Sequence, residues 1–158
     1  SVIVPNDRKE SYSKGLLAGF TGDFITALSI LVPQIENAVR CLAIECGEPV
    51  YNINEEGMEE IKTMHAVLEL EGIKDCLDED LLLALKTIFC SKFGFNIRNN
   101  IAHGIFSDNF FQSFKALYVW WFALKFCYLF TGKLQSENRD KVNNKLNKLL
   151  ETTNRVSE

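Results

Sequence analysis

The segment from residue 109 to residue 130 constrains the fold most, because its apolar and aromatic side chains leave almost no polar side. Its large apolar residues are Phe110, Phe111, Phe114, Leu117, Tyr118, Trp120, Trp121, Phe122, Phe126, Tyr128 and Phe130. A helix that is apolar all round must be covered on more than one side. We therefore expect a central helix capped at Ser107 or Asp108, or a helix with one face given to a partner subunit. Base stacking on its rings is a further alternative, although core packing explains the same residues.

Helical periodicity recurs along the rest of the chain, with few strand signals. Asp23 is placed to cap a long amphipathic helix that begins at Phe24. Pro33 predicts a kink in this helix, with two shorter helices as the alternative. Residues 55–70 read as an acidic surface helix, and Asp78 is placed to begin the next one. These patterns predict an all-α fold, with extended structure only near residues 50–51.

Length and composition predict one compact domain over residues 1–136. A chain of 158 residues, 47% of them hydrophobic, is long enough to build a core. Residues 137–158 are expected to form a polar helix or tail packed on this domain or on a partner. The chain opens on Ser1, which suggests a piece of a longer protein whose other domains would be partners.

The cysteines and histidines favour neither a disulfide framework nor a metal site. Five cysteines make an odd set without C-x-x-C spacing, which predicts reduced thiols in a cytoplasmic protein. His65 and His103 have no cysteine at ligand spacing, so neither a metal nor a cofactor is expected. We expect His65 to be a partly exposed structural residue. The segment 114–130 is interrupted by Lys115 and Lys125, so no membrane span is expected.

The charges are unevenly distributed along the chain. Residues 1–80 hold six Lys and Arg against sixteen Asp and Glu, whereas residues 81–136 hold six against Asp108 alone. A polyanion such as RNA would be repelled least by the second segment. The alternative is that this segment is merely the apolar core stretch and carries few charges of any sign. A pI near 5.3 argues against a general nucleic-acid coat protein.

The basic segment contains the sequence Arg98-Asn99-Asn100-Ile101-Ala102-His103-Gly104, which has groups suited to a phosphodiester. Arginine offers a permanent charge and a planar fork of donors, and histidine exchanges protons near neutral pH. Asn99 and His103 are four residues apart and would share a helix face. Arg98 and His103 would lie about 140° apart around an ideal helix. They would meet through an irregular segment, through the long arginine side chain, or across a twofold dimer that supplies two histidines.

Arg98 and His103 match the R-x4-H signature of the HEPN superfamily. The fuller RN-x3-HG form resembles an uncharacterised HEPN-like family that includes the endoplasmic-reticulum membrane-associated RNA degradation proteins. The upstream run from Gly22 to Arg40, which includes Glu36, also resembles that family, as do residues 78–83. The resemblance implies a bundle of about five to seven helices, a homodimer with the motif near the twofold axis, and often metal-independent RNA cleavage. Some HEPN-like domains act only in binding or dimerisation.

The motif and the resemblance together define a candidate site for an endoribonuclease. We assign catalysis to Arg98, Asn99 and His103, substrate binding to Lys92, Asn100 and Gly104, and a supporting role to Glu36 and Arg40. The first alternative is a non-catalytic module that binds RNA or a nucleotide, or only dimerises. The second is purely structural: Arg98 and its neighbouring amides would cap a helix and pair with Glu36 or another acid. A metal nuclease is disfavoured because the motif contains no carboxylate.

Overall fold

The longest helix, α2 (Phe24–Glu45), begins where its capping residue predicts. In this computed structural model, which describes residues 3–130, Asp23 Oδ1 accepts a hydrogen bond from Thr26 N at 3.0 Å. The helix runs through Pro33 without interruption, so the alternative of two shorter helices is wrong. Pro33 is exposed, where water can replace the hydrogen bond that its missing N–H would make.

Two further long helices pack against α2 and bury its apolar face. A 3-10 turn (Asn6–Arg8) leads into α1 (Lys9–Phe20), and α8 (Phe114–Leu129) lies near the end of the described chain. Buried residues from Ile3 to Cys127 form one hydrophobic cluster. Trp120 on α8 joins α8 to α1, because its indole Nε1 donates a hydrogen bond to Leu16 O at 3.3 Å.

The close contact between α1 and α8 depends on Gly19. A methyl group at this position would overlap the Trp120 indole ring, which is buried. We expect Gly19→Ala to lower the free energy of unfolding by about 1–3 kcal/mol, because overpacking outweighs the higher helix propensity of alanine. Urea denaturation measures this, with Ser13→Ala on the exposed side of α1 as the matched control. Equal stability of the two variants would contradict the packing role of Gly19.

The single acidic helix expected over residues 55–70 is wrong, although residues 64–68 of it are helical. Instead, β1 (Tyr51–Ile53) pairs antiparallel with β2 (Glu59–Ile61), and Tyr51 lies opposite Ile61. The turn between the strands explains the difference. Asn54 Oδ1 accepts hydrogen bonds from the backbone N–H groups of Glu56 and Met58, and Gly57 takes a φ of 77°. Asparagine and glycine are the residues such a turn requires.

Short helices fill the region between the hairpin and α8. They are α3 (Met64–Leu68), α4 (Glu71–Cys76), α5 (Glu79–Leu85), a π-helical turn (Lys86–Cys90), α6 (Ile97–Ala102) and α7 (Asp108–Phe111). Asp78 caps α5 as expected, since its Oδ1 accepts from Leu81 N at 2.8 Å. Within residues 3–130 there are eight α-helices, so the all-α expectation is confirmed but the count of five to seven is too low. The expected tail, 137–158, lies outside the described residues.

The aromatic segment forms two helices rather than one. The single helix expected over residues 109–130 breaks after α7, and Ser113 Oγ donates to Phe110 O at 2.6 Å where α8 begins. One side of α8 is buried in the core. The other side exposes large apolar side chains, of which those in the first half of the helix are here called the α8 apolar row: Phe114, Leu117, Tyr118 and Trp121.

Within the described chain, only α2 is long and apolar enough to cross a membrane. Half of its most apolar window is buried inside the fold. The core helix of a globular domain meets the same criteria of length and composition, so this is weak evidence for a membrane span.

The expectation of reduced thiols is wrong for one pair of cysteines. Cys46, which follows α2, forms a disulfide with Cys76 at the end of α4. The two residues are 30 apart in sequence, and packing of α4 near α2 brings them together. Cys41, Cys90 and Cys127 are not part of a disulfide. The cytoplasmic location remains a prediction, but reduced cysteines no longer support it.

Candidate functional site

The motif forms the short helix α6, and His103 and Gly104 follow it directly. Asn96 takes a left-handed conformation with φ 46° just before the helix, and its carbonyl accepts from Asn100 N at 3.0 Å. The Asn100 side chain donates to Phe95 O at 3.1 Å, so it holds the preceding loop. Gly104 ends the helix with φ 62°, a conformation that glycine adopts without strain. This geometry gives Asn100 and Gly104 structural roles; substrate binding by them stays a prediction.

Arg98 lies in the first turn of α6 and forms an ion pair with Glu36 of α2. Arg98 Nε donates to Glu36 Oε2 at 3.0 Å, and Arg40 Nη2 donates to Glu36 Oε1 at 2.6 Å. The side chain of Glu36 is 10% exposed, that of Arg40 20% and that of Arg98 38%. One buried carboxylate therefore joins two arginines, and a net positive charge remains on the three side chains. The two residues assigned a supporting role do contact Arg98 or its carboxylate partner.

A cavity of about 240 Å³ opens beside Arg98. Its polar lining comes from three separate parts of the chain: Thr63, His65, Lys92, Asn96, Arg98 and Asn99. The fold thus brings together three of the residues proposed from sequence, Lys92, Arg98 and Asn99. It adds His65, at the start of α3, which we expected to be a structural residue. No spacing in the sequence could have placed His65 beside Arg98, because only the packing of α3 and α6 against the π-helical turn brings the two residues to one cavity.

His103 does not line this cavity. It is exposed at the end of α6, and its backbone N–H donates to Asn99 O at 3.0 Å, so it lies one helical turn beyond Asn99. Its imidazole makes no hydrogen bond to any residue between 3 and 130. Arg98 and His103 lie on different sides of the helix, as expected, because α6 is regular between them.

Cys90 lines the same cavity, but its chemistry is that of a neutral thiol. Burial raises the pKa of Cys90 to about 11, with a smaller contribution from the negative charge of Glu36. At pH 8 we expect Cys90 to react with iodoacetamide about 100-fold more slowly than a cysteine of ordinary pKa, because the thiolate is the reactive form. Mass spectrometry of the native and urea-unfolded protein measures this, with unfolding restoring the rate. Rapid labelling in the native protein would contradict it.

Two larger cavities contain none of the residues assigned to the site. One, of about 550 Å³, lies between α1 and α8, and another, of about 400 Å³, lies between α5 and α8. No group of three or more His, Cys, Asp or Glu side chains suited to a metal ion occurs from residue 3 to residue 130. Comparison with known proteins adds no relative: no family model, no curated protein and no solved structure matches this chain.

Proposed function

We propose that this chain is a HEPN-like, metal-independent endoribonuclease that acts as a homodimer. The observation that carries the proposal is the placement of Arg98. Its Nε is held by the buried Glu36, while its side chain remains partly exposed beside Lys92 and Asn99 in an open cavity. An arginine fork has five N–H donors, and Glu36 occupies only one of them here. The remaining donors can bind phosphate oxygens.

The proposed reaction is attack of a ribose 2′-hydroxyl on the adjacent phosphorus. The 2′-oxygen forms a bond to phosphorus, the bond to the 5′-oxygen breaks, and the products carry a 2′,3′-cyclic phosphate and a 5′-hydroxyl. A base removes the 2′-hydroxyl proton and an acid returns one to the 5′-oxygen. His103 takes one of these roles, Arg98 stabilises charge on the phosphorane, and Asn99 orients His103 or the ribose.

A dimer is part of the proposal because the reaction needs both a base and an acid, whereas the motif of one chain supplies one histidine, His103. The α8 apolar row supports it: Phe114 is 88% exposed, and Tyr118 and Trp121 are each nearly half exposed. Exposed aromatic surface of this kind is typical of protein interfaces. A twofold axis near α6 would bring the exposed His103 of each protomer towards its partner.

A non-catalytic RNA-binding, nucleotide-binding or dimerisation module is the second candidate. The ion pair between Arg98 and Glu36 is compatible with this second candidate, because it also attaches α6 to α2 and so has a structural role. In this alternative, Arg98 and His103 bind RNA or support the fold without proton transfer. Other domains of a longer protein, and a cytoplasmic location, remain proposals under both candidates.

Cleavage of labelled single-stranded RNA and transfer RNA in EDTA tests the ribonuclease proposal. We expect wild type to cut in EDTA and to leave cyclic-phosphate ends, with cleavage strongly reduced in His103→Ala and Arg98→Ala. Both variants must first be shown to be folded and to have the oligomeric state of wild type. Binding of RNA without cleavage would favour the second candidate, and full activity in both variants would exclude catalysis by this motif.

A further inference from the structure

The cavity beside Arg98 is complete within one protomer, and it differs from the site expected from the motif. The expected site paired Arg98 with His103, but the imidazole that lines the cavity belongs to His65. His65 comes from α3, Lys92 from the loop before α6, and Arg98 and Asn99 from the first turn of α6. We propose that this cavity binds the phosphate group of an RNA chain or of a nucleotide, through Lys92, Arg98 and the imidazole of His65.

The lining groups select an oxyanion. Lys92 and Arg98 supply only donors, and the His65 imidazole and the Asn99 amide add further N–H groups. None of Lys92, His65 or Asn99 has an ion pair or side-chain hydrogen bond to another residue in the range 3–130. Arg98 keeps the donors that Glu36 does not use. The volume of about 240 Å³ equals roughly eight water molecules, which leaves room for a phosphate and part of its sugar.

The charges around the cavity are positive on balance. Glu69 lies one turn after His65 and is neutralised by Lys86 at 2.8 Å and Lys74 at 3.6 Å. Lys74 also pairs with the exposed Glu71. On the other side, Glu36 is shared by Arg98 and Arg40. The basic side chains of these ion pairs, together with Lys92 of the cavity lining, exceed the carboxylates by two charges, and this excess attracts an anion. They are Lys74, Lys86, Lys92, Arg40 and Arg98 against Glu36, Glu69 and Glu71.

Two ionisable groups near His65 keep one charge state near neutral pH. The hydrogen bond from Lys86 lowers the pKa of Glu69, so this carboxylate stays ionised there. Burial keeps Cys90 as a neutral thiol, with a pKa of about 11. Neither group therefore changes the charge around the cavity near neutral pH.

Nuclear magnetic resonance can read the two imidazoles separately, because the chain has two histidines. Their ring signals are assigned with His65→Gln and His103→Gln, and the wild-type protein is titrated with AMP, the dinucleotide ApA, inorganic phosphate and adenosine. We expect a saturable shift of the His65 signal with the phosphate-bearing probes but not with adenosine. Equal affinity for ApA and AMP would identify a backbone phosphodiester as the ligand, and preference for AMP a terminal phosphate. No response of His65 in the folded protein would overturn the proposal.

Lys92→Ala tests the cavity without disturbing the core, because Lys92 is exposed. We expect it to weaken AMP binding roughly tenfold, the effect of losing one charged hydrogen bond. Lys125→Ala removes a lysine from the same basic segment but outside the cavity, and it should change affinity less than about twofold. Equal effects of the two variants would show non-specific attraction and would overturn the site.

Sulfate tests the contribution of His65 directly, because the charge of sulfate does not change near neutral pH. Wild type should bind sulfate about tenfold more tightly than His65→Gln, the effect of losing one hydrogen bond to a charged ligand. Equal affinity of wild type and His65→Gln for sulfate would remove His65 from the site. The inference takes only its ligand class from the proposed function. Binding is read without cleavage, so a protein that binds AMP here but never cuts RNA would refute the ribonuclease and leave the cavity in place.

Discussion

Replacement of His103 by alanine should lower the rate of RNA cleavage by about 10² to 10⁴, the contribution of a general acid or base. The side chain is exposed and makes no hydrogen bond to the described part of the chain. We therefore expect the free energy of unfolding to change by less than about 0.5 kcal/mol. Single-turnover cleavage with saturating RNA isolates the chemical step from binding.

The matched control for His103 is Asn109→Ala, which removes an exposed polar side chain on α7, away from the cavity lining. This variant should cleave at the wild-type rate. A loss in His103→Ala that excess RNA restores would indicate a binding role rather than proton transfer. A loss accompanied by unfolding would indicate a structural role, and either result would count against His103 as a catalytic residue.

Replacement of Glu36 by alanine should destabilise the fold by about 3–5 kcal/mol, the cost of removing one partner from a buried ion pair. Arg40 would lose its only side-chain partner among residues 3–130, and its buried Nε already has none there. Arg98 would also be released, but it is more exposed, so its ion pair contributes less. Two arginines would then face each other without a carboxylate.

Urea denaturation measures the effect at Glu36, and Glu45→Ala provides the matched control on the same helix. Glu45 is exposed and has no ion pair within the described chain, so its removal should cost less than about 0.5 kcal/mol. Glu36→Gln retains the size and one acceptor and should fall between the two variants. If Glu36→Ala is as stable as Glu45→Ala, the shared carboxylate does not hold α6 on α2.

Features that depend on neighbouring residues were predictable. Asp23 and Asp78 cap helices as expected, because a capping side chain bonds to a backbone N–H only three residues away. The acidic helix over residues 55–70 was predicted wrongly, although the turn signals Asn54 and Gly57 were present in the sequence. Acidic side chains are equally compatible with an exposed hairpin, and the turn residues decide the local structure there.

The sequence by itself determined the all-α class, the capped starts of α2 and α5, and the chemistry available in the motif. Tertiary structure alone decided which of these groups meet. It paired Arg98 with Glu36, 62 residues away, out of several acids that could have served. It joined Cys46 to Cys76, and it placed His65 rather than His103 in the cavity. The physical reason is that caps and turns depend on bonds within a few residues, whereas the cavity depends on how α2, α3 and α6 pack around one core.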